Sequence, residues 1–526
     1  MSTWPPRDAA HLLVSGAQMA ALEQQLFASG LPVEALMEKA ALAVTRRLQE
    51  QWGRQLDHHG AVVLVGPGHN GGDGLVIARE LHLAGVDVAI WSPFERHKPL
   101  TASHLRHALW LGIPRLETPP EPGGAALWID ALFGIGQSRA PGAALEALLA
   151  QRQIERPHTL VAVDGPTGLC SDTGRLLGTA AACAHRTYAI GLLKTGLVQD
   201  AALRWVGQLE RVDLALPPSL LASLPPTQPL ALGPADLARL PALNLDPAAG
   251  KYGRGRLLLV AGSERYRGAA ALALLGADAS GCGSLRAALP RPVAGELWRW
   301  LPHAVLDTSL TSSAAGDLHL AALAHCDLNR LDALLLGPGI GCPDEPPSPQ
   351  EAVAWQQLQQ FAGLLVLDAD GLNRLNQLNT DWLAQRHGPT WITPHAGEFA
   401  RLFPDLAASA PLEAAAAAAR RSGAVVLLKG AHTVIAAPDG RRWQLLASAP
   451  EAARTGLGDV LAGFAAGRGA LARAAGAAAD ATWLAAAALA HATAGLELRQ
   501  EQVVPSPERV ARRLASRASQ SAIGPC

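Results

Sequence analysis

The sequence predicts an α/β protein of two domains, each a largely parallel sheet packed between helices. Three observations carry this. Short, continuously apolar runs recur along the chain, and each exits into a polar, glycine-rich loop, as buried parallel strands do. Apolar residues make up 49% of the 526 and charged residues only 17%, a balance that calls for well-buried cores. The proline-rich stretch Leu216–Pro229 separates two such series, and the chain is too long for one core. The expected domains are 1–220 and 230–526.

The totals narrow the function classes. A net charge of −1 without a basic run disfavours nucleic acid as a partner. Six cysteines (Cys170, Cys183, Cys282, Cys326, Cys342, Cys526) form no C-x-x-C pair, so neither a zinc site nor a disulfide framework is readable, and a reducing cytoplasm fits. Residues 1–30 lack the basic-then-apolar order of a secretory signal. Ala481–Leu496 is mostly alanine and carries His491; it reads as a packed core helix, short of a membrane span. Only five basic residues besides arginine and histidine occur: Lys39, Lys98, Lys194, Lys251 and Lys429. The last three lie beside or near glycine, a hint that a compact ammonium is wanted there.

In the first half, Gln18–Ser29 and Val33–Gln49 have helical apolar spacing. Ala61–Val65 is an apolar strand, followed by the loop Gly66-Pro-Gly-His-Asn-Gly-Gly-Asp-Gly74 and a helix over Leu75–Leu83. The spacing of Gly66, Gly68 and Gly71 matches a dinucleotide fingerprint, but Asp73 at the helix start would repel a pyrophosphate. The loop offers an amide, backbone N–H groups and a carboxylate; the plain alternative is a glycine turn with a helix cap. Further strands, Val86–Trp91, Ala126–Ile129 and Thr159–Val163, follow, the last two running into Asp130 and Asp164. Asn70, Asp73, Asp130, Asp164 and Thr167 thus fall at strand exits, where open α/β sheets bind ligands.

Gly66–Gly74, Asp130-Ala-Leu-Phe-Gly-Ile-Gly136 and Asp164-Gly-Pro-Thr-Gly168, preceded by Leu36-Met-Glu-Lys-Ala-Ala41, closely resemble the NAD(P)H-hydrate epimerase family over about residues 15–215. The resemblance implies a Rossmann-like three-layer domain that interconverts R and S epimers of hydrated nicotinamide cofactors. It implies that His69, Asn70, Gly71, Gly72, Asp73, Gly134, Ile135, Gly136, Gln137, Ser138 and Arg139 line the hydrate site, with Asp164 as acid/base. Asn70, Asp130 and Thr167 would bind potassium, which hard oxygen donors suit. His69 and Thr167 depart from the family's usual Asn and Ser.

In the second half, strands are expected at Leu257–Ala261, Leu334–Leu336, Leu364–Leu367, Trp391–Thr393 and Val425–Leu428. They exit into Gly262–Ala269, Gly337-Pro-Gly-Ile-Gly341, Asp368-Ala-Asp-Gly-Leu-Asn373, Pro394-His-Ala-Gly-Glu398 and Lys429-Gly-Ala-His-Thr433. Arg454-Thr-Gly-Leu-Gly-Asp-Val-Leu-Ala-Gly463 closes the series: a Gly456-x-Gly458 turn opening a helix from Val460. Its N–H groups and dipole favour a phosphate, which makes Asp459 either a base, a metal partner or simply a helix cap.

This ordered set resembles the ADP- or ATP-dependent NAD(P)H-hydrate dehydratase family, a ribokinase-like branch, over about residues 235–515. The resemblance assigns Lys429, Gly430, Ala431, His432, Thr433, Thr455, Gly456, Leu457 and Gly458 to ADP. Ala269, Gly339, Gly341, His395, Ala396, Gly397, Glu398, Phe399, Ala400, Arg401 and Asp459 fall to the hydrate, with Asp459 as base and Mg2+ accompanying ADP. The family writes the turn Ala-Thr-Gly-Gly-Thr-Gly-Asp; here Arg454, Thr455 and Leu457 differ, and Thr455 would be strained were its φ positive. The implied function is a bifunctional repair enzyme, epimerase then ADP-dependent dehydratase, acting on small molecules as a cytoplasmic homo-oligomer with no membrane partner. The alternative is a ribokinase-like small-molecule kinase fused to a non-catalytic nucleotide-binding or interaction module.

Overall fold

The computed structural model describes residues 4–378, 381–449 and 452–522. The chain divides into two compact units: Pro6–Leu230, and Ala231 onward with the N-terminal five residues. Both are α/β with parallel sheets.

The N-terminal unit is built on β1 (Ala61–Val65), β2 (Val88–Trp91), β3 (Arg115–Leu116), β4 (Leu127–Ala131), β5 (Leu160–Val163), β6 (Arg186–Ile190) and β7 (Gln208–Val212). All are parallel, in the order β3-β2-β1-β4-β5-β6-β7. The order reverses between β1 and β4, the crevice where such sheets bind ligands. Register places Leu64 opposite Asp130, so the segments leaving β1 and β4 emerge side by side.

Helices α1 (Gly16–Ala28), α2 (Val33–His59), α3 (His69–Leu83), α4 (Pro99–Trp110) and α5 (Ala143–Glu155) cover the sheet. A capping box between Ser15 and Gln18 starts α1. Helix α2 runs ten residues beyond the expected Gln49 and stops at Gly60, whose φ is +66°. Helix α3 begins at His69, not Leu75, so the expected glycine loop is mostly helix. The reason is packing: a Cβ on Gly71 would lie 2.0 Å from the Gly66 carbonyl oxygen. Glycine here lets helix and strand exit touch, rather than keeping the chain irregular. Asp130 likewise lies inside β4, one residue before its end. Strand β7, unread in the sequence, is an edge strand whose polar Gln208 and Glu210 leave no apolar run.

The C-terminal unit carries β8 (Leu230–Leu232), β9 (Arg256–Val260), β10 (Ser284–Pro290), β11 (Val305–Leu310), β12 (Ala333–Leu336), β13 (Leu364–Leu367), β14 (Thr390–Ile392), β15 (Val425–Leu428), β16 (Val434–Ala436) and β17 (Arg442–Leu445). Their order is β8-β17-β16-β15-β14-β13-β12-β9-β10-β11. The run from β11 to β15 is parallel; β16 and β17 return antiparallel. Strands β12 to β15 are wholly buried, which is why they were legible as apolar runs.

The main helices are α6 (Arg267–Ala279), α7 (Pro349–Gln360), α8 (Asp370–Leu375), α9 (Ala396–Leu402), α10 (Pro411–Ser422), α11 (Leu457–Ala474), α12 (Ala481–Gln500) and α13 (Pro507–Ala522). Helix α11 starts at Leu457 rather than Val460, and buries nearly every residue from Val460 to Ala472. Helix α12 packs its alanines inside, as expected. Among the described residues no helix is long and apolar enough to cross a membrane.

Candidate active sites

In the N-terminal unit a cavity of about 360 Å3 lies at the switch point, walled by the start of α3, the segment after β4 and Asp164 after β5. Asp164 has φ +66°, a left-handed conformation that β-carbon residues adopt only when their surroundings enforce it. Its Oδ1 accepts from Lys194 Nζ at 2.5 Å and from the Ile190 N–H at 3.3 Å. Its Oδ2 accepts from the Ile135 N–H at 3.3 Å. Lys194 is 1% exposed and also donates to the Ile190 carbonyl at 2.6 Å.

Other carboxyls crowd Asp164. Burial, then the charges of Asp164 and Glu23, push the Asp73 carboxyl well above the usual range, with Lys194 opposing. Burial and Asp164 raise Glu23 as well. Asp73 makes no cap hydrogen bond; it sits in the second turn of α3, so the capping alternative does not hold.

Behind the cavity, Thr167 donates its hydroxyl to Asp130 Oδ1 and its N–H to Asp130 Oδ2, both at 2.8 Å. Burial raises Asp130 to about 6, against the lowering effect of those bonds. Both amide atoms of Asn70 are buried without a protein partner. His69 lines the cavity, its imidazole disfavoured as a cation by burial and by Lys98.

Of the expected hydrate contacts, His69, Asn70, Asp73, Gly134, Ile135, Gly136, Gln137 and Asp164 share this cavity. Gly71 and Gly72 face inward, a Cβ on Gly72 meeting Met37 Cε at 2.6 Å. Ser138 and Arg139 are exposed and outside it. Glu23, Lys98 and Lys194 were unassigned. The only sequence signal among them was Lys194, a rare lysine between glycines; Glu23 comes from a helix far earlier in the chain.

The C-terminal unit holds a cavity of about 610 Å3 at the mouth of α11. Gly456 caps that helix with φ +95°, where a side chain would strain. Thr455 is not among the residues with positive φ, so the expected strain is absent. Lys429 reaches the turn: a Cβ on Gly458 would lie 3.4 Å from its Nζ. The same ammonium pairs with buried Asp368, whose Oδ1 also accepts from Thr393 Oγ1 at 2.8 Å. Burial, then the charge of Asp368, raises Asp459 to about 7, with Lys429 offsetting part of the effect.

Lys429, Gly430, Ala431, Thr433, Leu457 and Gly458 line this cavity; His432, Thr455 and Gly456 do not. Arg454 and His491 do, though neither was assigned to it; burial drives His491 down to about 4, which makes it a neutral wall.

The expected hydrate residues gather beside it. Gly339 has φ +64°, and a Cβ there would come within 2.7 Å of the Ala269 Cβ. Gly341 donates its N–H to Asp370 Oδ2 at 2.9 Å, Asn373 donates to Asp370 Oδ1 at 3.1 Å, and Arg401 Nη2 donates to Asn373 at 2.9 Å. That chain ties the Gly337–Gly341 loop to α9. His395 accepts from the Gly397 and Glu398 N–H groups, and its own N–H donates to Glu398 Oε2 at 2.8 Å. Glu398 is buried, and burial raises its carboxyl. Ala396 and Gly397 form the exposed first turn of α9, and Ala400 is half-buried. Phe399 is a core residue instead: its ring is buried and meets Phe403 at 5.2 Å. It lies on the face of α9 turned from the site.

A family model described as NAD(P)H-hydrate dehydratase matches residues 257–516, and one described as YjeF-related protein N-terminus matches 33–196. The chain is 44% identical over 459 residues to a bifunctional NAD(P)H-hydrate repair enzyme Nnr from Gloeobacter violaceus, covering 86% of this chain and 87% of that protein. A protein of the same description from Synechocystis is 42% identical over 457 residues, covering 86% and 84%. Among solved structures, an ADP/ATP-dependent NAD(P)H-hydrate dehydratase from Bacillus subtilis, crystallised with ATP/Mg2+, is 26% identical with a TM-score of 0.44, covering 55% of this chain and 96% of that one. With relatives this similar along most of both chains, and a model on each half, the chain belongs to the family of bifunctional NAD(P)H-hydrate repair enzymes.

Proposed function

We propose that the two cavities divide a repair reaction between them. The N-terminal unit interconverts the R and S epimers of NAD(P)H hydrate. The C-terminal unit dehydrates the S epimer to NAD(P)H with ADP, releasing AMP and phosphate. The observation that carries the reading is an ionisable aspartate beside a lysine-bearing strand exit in each unit: buried Asp164 with Lys194, and half-buried Asp459 near Lys429.

In the first cavity Asp164 is the acid/base, moving a proton at its Oδ2, the oxygen that Lys194 leaves free. Asn70, Asp130 and Thr167 would hold a potassium ion. The fit rests on the partnerless, buried Asn70 amide after β1 and on the paired oxygens of Asp130 and Thr167, Asp130 lying in the neighbouring strand β4, donors that suit a hard cation. Such an ion, when bound, supplies a fixed positive charge beneath the ligand segments.

Beside the second cavity Asp459, next to Gly458 of its wall, takes the proton from the hydroxyl on the reduced ring. That oxygen attacks the terminal phosphoryl group of Mg·ADP in line, the magnesium ion arriving as part of the nucleotide substrate. Lys429, the N–H groups at the Gly456–Gly458 turn and the Arg454 guanidinium on the cavity wall offset the phosphoryl charge. AMP departs in that transfer; the C–O bond to the new phosphate ester then breaks, phosphate leaves with its electron pair, and the adjacent ring carbon gives up a proton to water, restoring the ring double bond. Asp459 at about 7 is poised for such base work near neutral pH. We assign the enzyme to the cytoplasm, in keeping with five free cysteines among the described residues.

The test feeds pure R-hydrate with ADP to Asp164→Ala. The return of reduced-nicotinamide absorbance should fall to the spontaneous epimerisation rate, while pure S-hydrate turns over normally. Conversion of R-hydrate clearly faster than that background would place the acid/base elsewhere.

A further inference from the structure

Asp164 is one of three carboxyls brought to the same wall. Glu23 reaches it from α1, Asp73 from α3 and Asp164 from the exit of β5, and all three line the N-terminal cavity. Lys98 and His69 also line it. Among the described residues one cation is buried with these carboxyls: Lys194, 1% exposed, which acts electrostatically on both Asp73 and Glu23 and, of the three carboxyls, hydrogen-bonds only Asp164. Its backbone is anchored by the parallel pairing of Leu193–Lys194 with Leu13–Val14. Its ammonium is fixed at two points, the Ile190 carbonyl at 2.6 Å and Asp164 Oδ1 at 2.5 Å.

Burying a carboxylate is costly unless a cation compensates it. Three clustered carboxyls with one such cation therefore hold one anion between them. The hydrogen bond decides which. It also decides how that anion is turned, because with Oδ1 held by Lys194 and the Ile190 N–H, Oδ2 is left against Gly134 and Ile135 on the cavity wall; a Cβ on Gly134 would lie 3.1 Å from it.

We propose that Lys194 is the positioning residue of the epimerase cavity: it selects Asp164 as the anion of the Glu23–Asp73–Asp164 cluster and turns its free oxygen towards the substrate. This rests on the reading that the cavity is the epimerase site. Glu23 and Asp73, whose carboxyls burial and the Asp164 charge push upward, are then the members that hold a proton more readily than Asp164 does.

The test uses the full chain and pure R-hydrate, with turnover of S-hydrate by the other unit as an internal measure of intact protein. Lys194→Met should lower epimerisation by ~10²-fold or more, with KM changed less than about threefold, because the base is lost rather than the binding surface. Lys194→Arg should recover part of the rate. Lys194→Ala should be restored at least about tenfold by ethylammonium and not by ethanol, a response that packing alone does not produce. Epimerisation by Lys194→Met within about threefold of wild type would overturn the proposal. A loss that neither arginine nor ethylammonium restores would also overturn it, leaving Lys194 a packing residue. Should Lys194→Met fail to fold, Lys194→Ala in ethylammonium decides by the same criterion. Failure of the underlying reading is distinct: wild type would then show no epimerisation and Asp164→Ala would match it.

Discussion

Asp459→Asn isolates the base of the dehydratase from its nucleotide site. The carboxyl lies half-buried near the charge of Asp368 and is raised to about 7. With that value about one-eleventh of the enzyme carries the anion at pH 6 and about ten-elevenths at pH 8, so kcat/KM for S-hydrate should climb about tenfold between them. Asparagine keeps the shape and removes the proton acceptor. The rate should fall ~10²–10⁴-fold and lose its dependence on pH, while ADP affinity, measured by calorimetry, stays or improves slightly. The same residue predicts a stability signature. Its folded value lies above the ordinary 3.8, so the folded state holds the proton more tightly. The stabilising contribution is fully present below about pH 4 and is lost as pH rises to about 7, by at most about 4 kcal/mol. Asp459→Asn should therefore melt above wild type at about pH 8 and level with it near pH 4. A variant within a few-fold of wild-type turnover, or a wild-type profile flat from about pH 6 to 8, would refute the assignment.

Three further outcomes follow from the geometry. Gly456→Ala forces a side chain into φ +95° and its Cβ within 2.4 Å of Leu272 Cδ1, so it should lower stability by ~1–3 kcal/mol and raise the KM for ADP; melting and initial rates check both. Thr455→Gly, which restores the usual glycine of the turn, relieves no strain; it should destabilise by about 0.5–1 kcal/mol through backbone entropy and bring no gain in rate. Residues 6–230 and 231–526, expressed separately, should each melt in one cooperative transition, and loss of solubility in both would argue against independent folding.

Much of the site was legible because strand exits are local chemistry. Asp164 and Lys429 announce themselves by following apolar runs and preceding glycine, and the Gly456–Asp459 turn by the helix it opens. The start of α3 lies ahead of the apolar run at Leu75 for a packing reason. The glycines around Gly71 looked like flexible loop, whereas they are small so that α3 can lie against the exit of β1. The Phe399 ring turns into the core, a direction that a short segment after a strand does not reveal in the sequence. Strands β7 and β11, half-exposed at or near sheet edges, lacked the apolar run that marks the central ones.

By itself the sequence determined which segments become buried strands, which exits carry oxygen, ammonium and backbone N–H groups, and hence the kind of chemistry each half supports. These depend on side-chain type and neighbours within a few residues. Tertiary structure alone decided how the groups are charged and paired. Lys194 meets Asp164 and Lys429 meets Asp368 across 30 and 61 residues of chain, and Glu23 arrives from a separate helix. An aspartate titrating near 7, or an asparagine amide left without a partner, is not a property of the residue. It comes from the water that packing removes and from the charges that folding brings close.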